Sequence, residues 1–346
     1  MRGGSLARSA HFHMPAEWAL HRAVWTAWPH DPDQWAEGLT APQRALMAMV
    51  AAIVDEGRGE RVELLVRDAN DEAAARALLA EAATHVSFRR IGYGDVWLRD
   101  TGPIFVVRDG EVAAARFGFD GWGGKYVMAG DSEVAEKVVA FAGVHGATFD
   151  FVLEGGAIEV DGVGNLMTTK QCLIRGMRNP RLAASALEAR LRWALGVEHV
   201  IWLDRGLAND HTDGHIDTLA RFVAPSVVTC MEPIASDPNR DALEAILADL
   251  KTARSASGNR FEVVTVPSPG AVYDASGNLL PASYMNFYIA NTVVVVPTYG
   301  CASDERAVRC IEAMFPHRKV VALPCKDVVV GGGGFHCTTQ QEPFPP

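Results

Sequence analysis

Cys337 lies near the C-terminus, directly behind a histidine and a run of four glycines in GGGGFHCTTQQ. Glycines leave room around a thiol, and the polar residues that follow make an inert apolar burial site less natural for it. The run fits neither a phosphate loop, which needs a following G-K-[ST], nor a dinucleotide fingerprint opening a helix. A second reactive stretch, NDHTDGHID, crowds Asp210, His211, Asp213, His215 and Asp217 ahead of an apolar segment. His211 and His215 have i,i+4 spacing, yet Gly214 between them and the lack of an H-E-x-x-H pattern speak against a zinc helix. The H-x-D pair is expected to put His215 and Asp217 on one face of a strand, an imidazole for proton transfer beside a carboxylate. Asp100 in WLRDTGP and Glu154 in LEGGAI read most simply as a turn aspartate and a hairpin glutamate. Trp97 reads either as core or as an indole face over a cationic ligand.

Taken together the residues say more than each alone. A cysteine and a histidine supply a nucleophile and a proton carrier. Carboxylates do not help attack on a neutral carbonyl, whose developing oxyanion needs hydrogen-bond donors. They make sense when the electrophile is a cation, and a planar guanidinium with N–H groups on opposite sides matches two carboxylates.

The elements that must position these groups are of α/β type. Helices are expected from Thr40, Asn70, Asp131, Asn179, Asn239 and Ser303 on capping residues and 3.6-residue periodicity. Between them lie β-rich stretches such as RVELLVRD, AIEVDGVGNLMTT and FYIANTVVVVP. Trp28, Asp100, Glu154, His215, Asn286 and Cys337 recur at intervals of 72, 54, 61, 71 and 51 residues by subtraction, each expected just ahead of a strand. Repetition of this size suggests a closed array or propeller whose strand ends meet at one centre. In such a ring the chain ends lie side by side, and the C-terminal segment becomes a central strand.

The chain has 346 residues, 49% hydrophobic and 21% charged, without a linker-like stretch, so one compact domain over 14–346 is expected, with residues 1–13 as a disordered leader. A net charge of −10 argues against a nucleic-acid partner and favours a cationic small molecule. Six cysteines without a C-x-x-C pair read as reduced thiols, which with the lack of a signal segment places the protein in the cytoplasm. The strongest apolar run, TVVVVP, is far too short to span a bilayer, so no membrane partner is expected.

WLRDTGP, WGGKY, LEGGAI, RNP, HTDGHID, ASYMNFYIAN and GGGGFHCTTQQ, in this order, closely resemble the agmatine deiminases of the guanidine-modifying superfamily. The resemblance runs from MPAEW to the end of the chain. It implies a five-bladed, pseudo-symmetric α/β propeller, the pentein fold. It also implies hydrolysis of agmatine to N-carbamoylputrescine and ammonia, without metal or organic cofactor, as a step toward polyamines. By motif, Cys337 becomes the nucleophile, His215 the acid/base, Asp100 and Asp217 the guanidinium clamps, and Glu154 a support for the histidine and the clamp. Relatives also imply a homo-oligomer, dimer or tetramer. Where many relatives read DDTNGH and GGGNIHC, this chain has NDHTDGH and GGGGFHC, so residues flanking the site differ. For the substrate tail, Asp213 is the candidate for an amine, with Trp97 or Trp122 over the methylenes. An α-carboxylate would instead need an arginine such as Arg99 or Arg116. Deimination of free or peptidyl arginine, or a catalytically silent binding propeller, are the competing readings.

Overall fold

The computed structural model describes residues 11–35 and 37–346. Five small sheets carry one repeating unit, a β-hairpin, a helix, and a third strand parallel to the second. β4 (Ile104–Arg108), β5 (Glu111–Gly118) and β6 (His145–Val152) form one such sheet. β7 (Glu159–Val160), β8 (Asn165–Thr169) and β9 (His199–Leu203) repeat it. So do β10 (Ala220–Ala224), β11 (Val227–Glu232) and β12 (Glu262–Pro267), and then β13 (Tyr288–Ile289), β14 (Val293–Thr298) and β15 (Lys319–Pro324).

The remaining sheet closes the ring. The last strand, β16 (Gln340–Pro343), pairs antiparallel with β1 (His21–Ala27), which continues in parallel to β2 (Arg61–Val66) and β3 (Val86–Arg90). Chain ends therefore meet in one blade, as the spacing suggests, and the tail that sequence position alone would leave loose is tied into a sheet. β16 lies beside β4 and β7 beside β10, which sets the first strands of the blades around a common centre.

The middle strand β14 is covered on both faces and accordingly reads as a continuous apolar run. Val293, Val294, Val295 and Val296 are all fully buried. Helix α1 (Thr40–Val54) buries Leu46, Met47, Met49, Val50, Ile53 and Val54, the stripe that 3.6-residue periodicity requires, and stops at Asp55 in left-handed conformation. The other long helices are α2 (Ala69–Leu79), α3 (Asp131–Ala142), α4 (Ala184–Leu195), α5 (Arg240–Thr252) and α6 (Asp304–Met314). The expected start at Asn179 is corrected to Ala184. Instead of capping that helix, the Asn179 amide hydrogen-bonds both the N–H and the C=O of Val152, tying the segment to β6. No helix among the described residues is long and apolar enough to cross a membrane.

Two further expectations change. Residues 1–10 of the expected leader lie outside the described residues, but the boundary comes before 14. His13 exchanges backbone hydrogen bonds with Val107, and the Arg108 guanidinium lies 4.2 Å from the centre of the Phe12 ring. Trp28 does not precede a strand but follows β1, so the recurring series has five members, one per blade.

Candidate active site

Each blade delivers one of those five residues to the centre, just ahead of its first strand. Asp100 sits in the helical turn Leu98–Thr101 before β4, and Glu154 opens the turn Gly155–Ala157 before β7. His215 opens the turn Ile216–Thr218 before β10, Asn286 precedes β13, and Cys337 lies in the turn His336–Thr338 before β16. His215 and Asp217 are thus on a tight turn and not on one strand face, yet they still converge. A side chain at Gly156 would meet His215 Nδ1 at 2.5 Å, Asp100 Oδ1 at 2.8 Å and Asp217 Oδ2 at 3.2 Å, so only glycine lets the three close on one point.

The four glycines before the cysteine have a similar explanation. A Cβ on Gly333 would lie 2.8 Å from Trp97 and 3.1 Å from Cys337 Sγ, and one on Gly334 would lie 2.6 Å from Asn286 Oδ1. Asn286 occupies that space, donating from Nδ2 to Sγ at 3.1 Å and accepting the Cys337 N–H at 3.3 Å. Sγ also lies 3.4 Å from Asp217 Oδ2. Burial, then the Asp217 and Asp100 carboxylates, push the thiol well above its ordinary range.

The two aspartates are held differently. Asp100 accepts Trp122 Nε1–H and the Gly156 N–H, both at 2.9 Å, but burial together with Asp217 and Glu154 pushes its carboxyl well up. Asp217 is equally buried, yet a 2.8 Å contact with His336 Nδ1, and the charge on that ring, outweigh burial and hold it below the usual carboxylate range. His215, 3.7 Å from Asp100 and with no hydrogen-bond partner on either ring nitrogen, is pushed down by burial to about 3 and is neutral at physiological pH.

Arg178, from the RNP segment, donates to Glu154 Oε1 at 2.6 Å, to Asp213 at 2.9 Å and to the Thr212 carbonyl at 2.6 Å. Glu154 Oε2 is left without a partner, and burial pushes this carboxyl up against the opposing pull of Arg178. Glu154, Cys172 and His215 offer ligand atoms within 4.8 Å of one another, but the guanidinium on Glu154 sets a fixed positive charge beside any cation there.

A cavity of about 150 Å³ opens onto Asp100 and Cys337 and is lined by Trp97, Trp122, Asp33, Asp95, Tyr126 and His211. Asp213 is not in its lining. Its carboxylate is taken by Lys125 at 2.8 Å and Arg178, so its expected role as an amine acceptor is withdrawn. Neither arginine proposed for an α-carboxylate lines the cavity either. Arg99 is buried on Gln341 and Thr339, and Arg116 bonds Thr148. Reading the sequence alone missed the roles of Asn286, Arg178, His336 and Glu17. Asn286 was signalled by its place in the recurring series, and Arg178 by its motif.

Known proteins share this architecture. The chain is 37% identical to the agmatine deiminase of Stutzerimonas stutzeri over 99% of its own length and 98% of the relative's. The agmatine deiminase of Pseudomonas aeruginosa matches at the same identity and coverage. The solved agmatine deiminase of Enterococcus faecalis superimposes with a TM-score of 0.91 at 32% identity, covering 100% of this chain and 99% of that one. A cysteine-to-serine variant of the Campylobacter jejuni enzyme with substrate bound gives 0.87 at 26% identity, covering 96% of each chain. With residues 13–343 matching the family profile, the chain belongs to the Porphyromonas-type peptidyl-arginine deiminase family.

Proposed function

We propose that this chain hydrolyses agmatine to N-carbamoylputrescine and ammonia, acting on the C–N bond of a linear amidine. The curated relatives and the solved structures that carry the name agmatine deiminase support the reaction. The observation that carries the substrate is the lining of the cavity: the carboxyl groups of Asp33, Asp95 and Asp100 line it, each able to accept from or ionise toward a cation, and no lysine or arginine does among the described residues. A guanidinium with an amine tail finds acceptors throughout. The α-carboxylate of arginine finds no cation and faces like charge.

In the mechanism we infer, the guanidinium sits between Asp100 and Asp217, and its charge draws the Cys337 thiol toward thiolate. His215, neutral in the empty site, takes the thiol proton as Sγ bonds the guanidinium carbon. The C–N bond then breaks, and His215 returns that proton to the departing ammonia, leaving an S-alkylthiouronium. Water gives a proton to His215 and attacks the same carbon. The C–S bond breaks, and the sulfur leaves as the thiolate that regains its proton. Glu154, fixed by Arg178, supports the imidazole. Trp122 both covers the cavity and holds Asp100, while Trp97 flanks the thiol. The reading places the reaction in the cytoplasm on a route to polyamines. A homo-oligomer is supported by apolar surface such as Trp193, 79% exposed, and sedimentation measures it.

The test is ureido-product formation from agmatine, arginine and a blocked arginyl peptide, with chelator present and beside C337A. Turnover of agmatine that C337A abolishes is expected. Turnover only of arginine or the peptide overturns the substrate, and silence on all three returns the propeller to a binding role.

A further inference from the structure

Behind the Asp217 clamp lies a buried polar array that the proposed chemistry does not use. His336 presents Nδ1 to Asp217 Oδ2 at 2.8 Å and Nε2 to Glu17 Oε2 at 2.7 Å. Carboxylates only accept, so a ring placed between two of them makes both contacts only with a proton on each nitrogen. Glu17 is itself held by Arg221 at 2.9 Å, Arg99 at 3.6 Å and the Ile289 N–H at 2.9 Å. Arg221 in turn meets Glu159 at 3.0 Å. With an imidazolium at 336, three cations (Arg99, Arg221, His336) face three carboxylates (Glu17, Glu159, Asp217), and the array balances. The backbone also fixes the ring's position. The His336 N–H donates to the Asn286 carbonyl at 3.2 Å, while the His336 carbonyl accepts Thr339 Oγ1 at 2.8 Å and Arg99 Nε at 3.4 Å.

We propose that His336 is a positioning residue, a fixed imidazolium that keeps Asp217 ionised and aimed as guanidinium acceptor, with Glu17 as its counter-ion. It touches neither substrate nor the reacting atoms and acts through Asp217. This rests on the deiminase reading for its kinetic consequence but not for its protonation state.

Two measurements test it. H336N retains a neutral donor near the Nδ1 position but removes the charge of the ring, so it is expected to lose on the order of tenfold in kcat/KM for agmatine, chiefly as higher KM, with its acid limb moved to higher pH. H336Q, whose amide lies near the Nε2 position and leaves Asp217 without either charge or donor, is expected to lose at least as much, with the same rise in KM and the same shift of the acid limb. A merely structural residue would lower the melting temperature and the active fraction without moving KM or the pH profile, and that outcome overturns the proposal. Independently, nitrogen NMR of histidine-labelled parent, assigned by the signal missing in H336N, is expected to show both ring nitrogens of His336 protonated under the assay conditions. A singly protonated ring overturns the proposal even in a protein that turns over no guanidine, so the two readings fail separately.

Discussion

Asp100 and Asp217 flank the same thiol, are buried alike, and would accept the same guanidinium from opposite sides, yet their surroundings push them in opposite directions. Asp100 has neutral donors, Trp122 and the Gly156 N–H, and Glu154 and Asp217 as like-charged neighbours. Asp217 has His336, with Glu17 and Arg221 behind it. Neutral dipoles at 2.9 Å do not offset full desolvation, whereas a charged partner at 2.8 Å does. An empty site built this way holds one standing carboxylate and one that ionises most easily when the cation arrives. That limits the repulsion stored between two charges in a dry space.

The largest test of this asymmetry is removal of each charge in turn. D217N leaves the His336 ring facing an amide, and breaking a buried charged pair costs about 3–5 kcal/mol. Its kcat/KM for agmatine is expected to fall roughly 10²- to 10³-fold or more. D100N loses hydrogen bonds to a charged group, worth about 1.5–3 kcal/mol, so a loss of roughly ten- to a hundredfold is expected. Equal losses in the two variants would show that the sides are equivalent in function despite their different surroundings.

The pH profile sharpens the same contrast. Asp100 must lose its proton to accept the guanidinium, and its pKa is raised in the free site, so the parent's kcat/KM is expected to rise with pH on the acid side. Asp217, held low, is already ionised over that range and adds no limb there. D100N should flatten the rise. A limb that survives in D100N would belong to another raised carboxyl, Glu154 or Asp95, the latter pushed by burial to about 7, and would break the assignment. W122F removes the donor to Asp100 Oδ2, a bond that favours the carboxylate. It should cost about 1 kcal/mol, roughly fivefold in kcat/KM, and move the acid limb to higher pH.

How much of this was legible in the sequence follows the range over which each residue acts. Asp100, Glu154, His215, Asn286 and Cys337 repeat with the blades, so their spacing announces a common centre before any contact is known. Closure of the ring by the tail followed from the same period. The source of the asymmetry was not legible: His336 meets Glu17 across a separation of 319 residues, and no local pattern links them. Asp213 shows the complementary error. Its charge is visible in the sequence, but Lys125 and Arg178, which take that charge, reach it only through the fold.

The smallest effect is expected at that rim. The Lys125–Asp213 pair is about a third exposed on both partners, and such pairs contribute about 0–1 kcal/mol and weaken with salt. It nonetheless belongs to the Asp100 side, because Asp213 braces Arg178, and Arg178 fixes Glu154 beside His215. In K125A, Arg178 still holds Asp213 at 2.9 Å, so kcat/KM for agmatine should stay within about threefold of the parent, with any loss vanishing at high salt. A larger, salt-insensitive loss in steady-state assays would mean that the rim pair sets the geometry of Glu154. The side of the site that lacks a fixed buried cation on its clamp would then depend on a surface one.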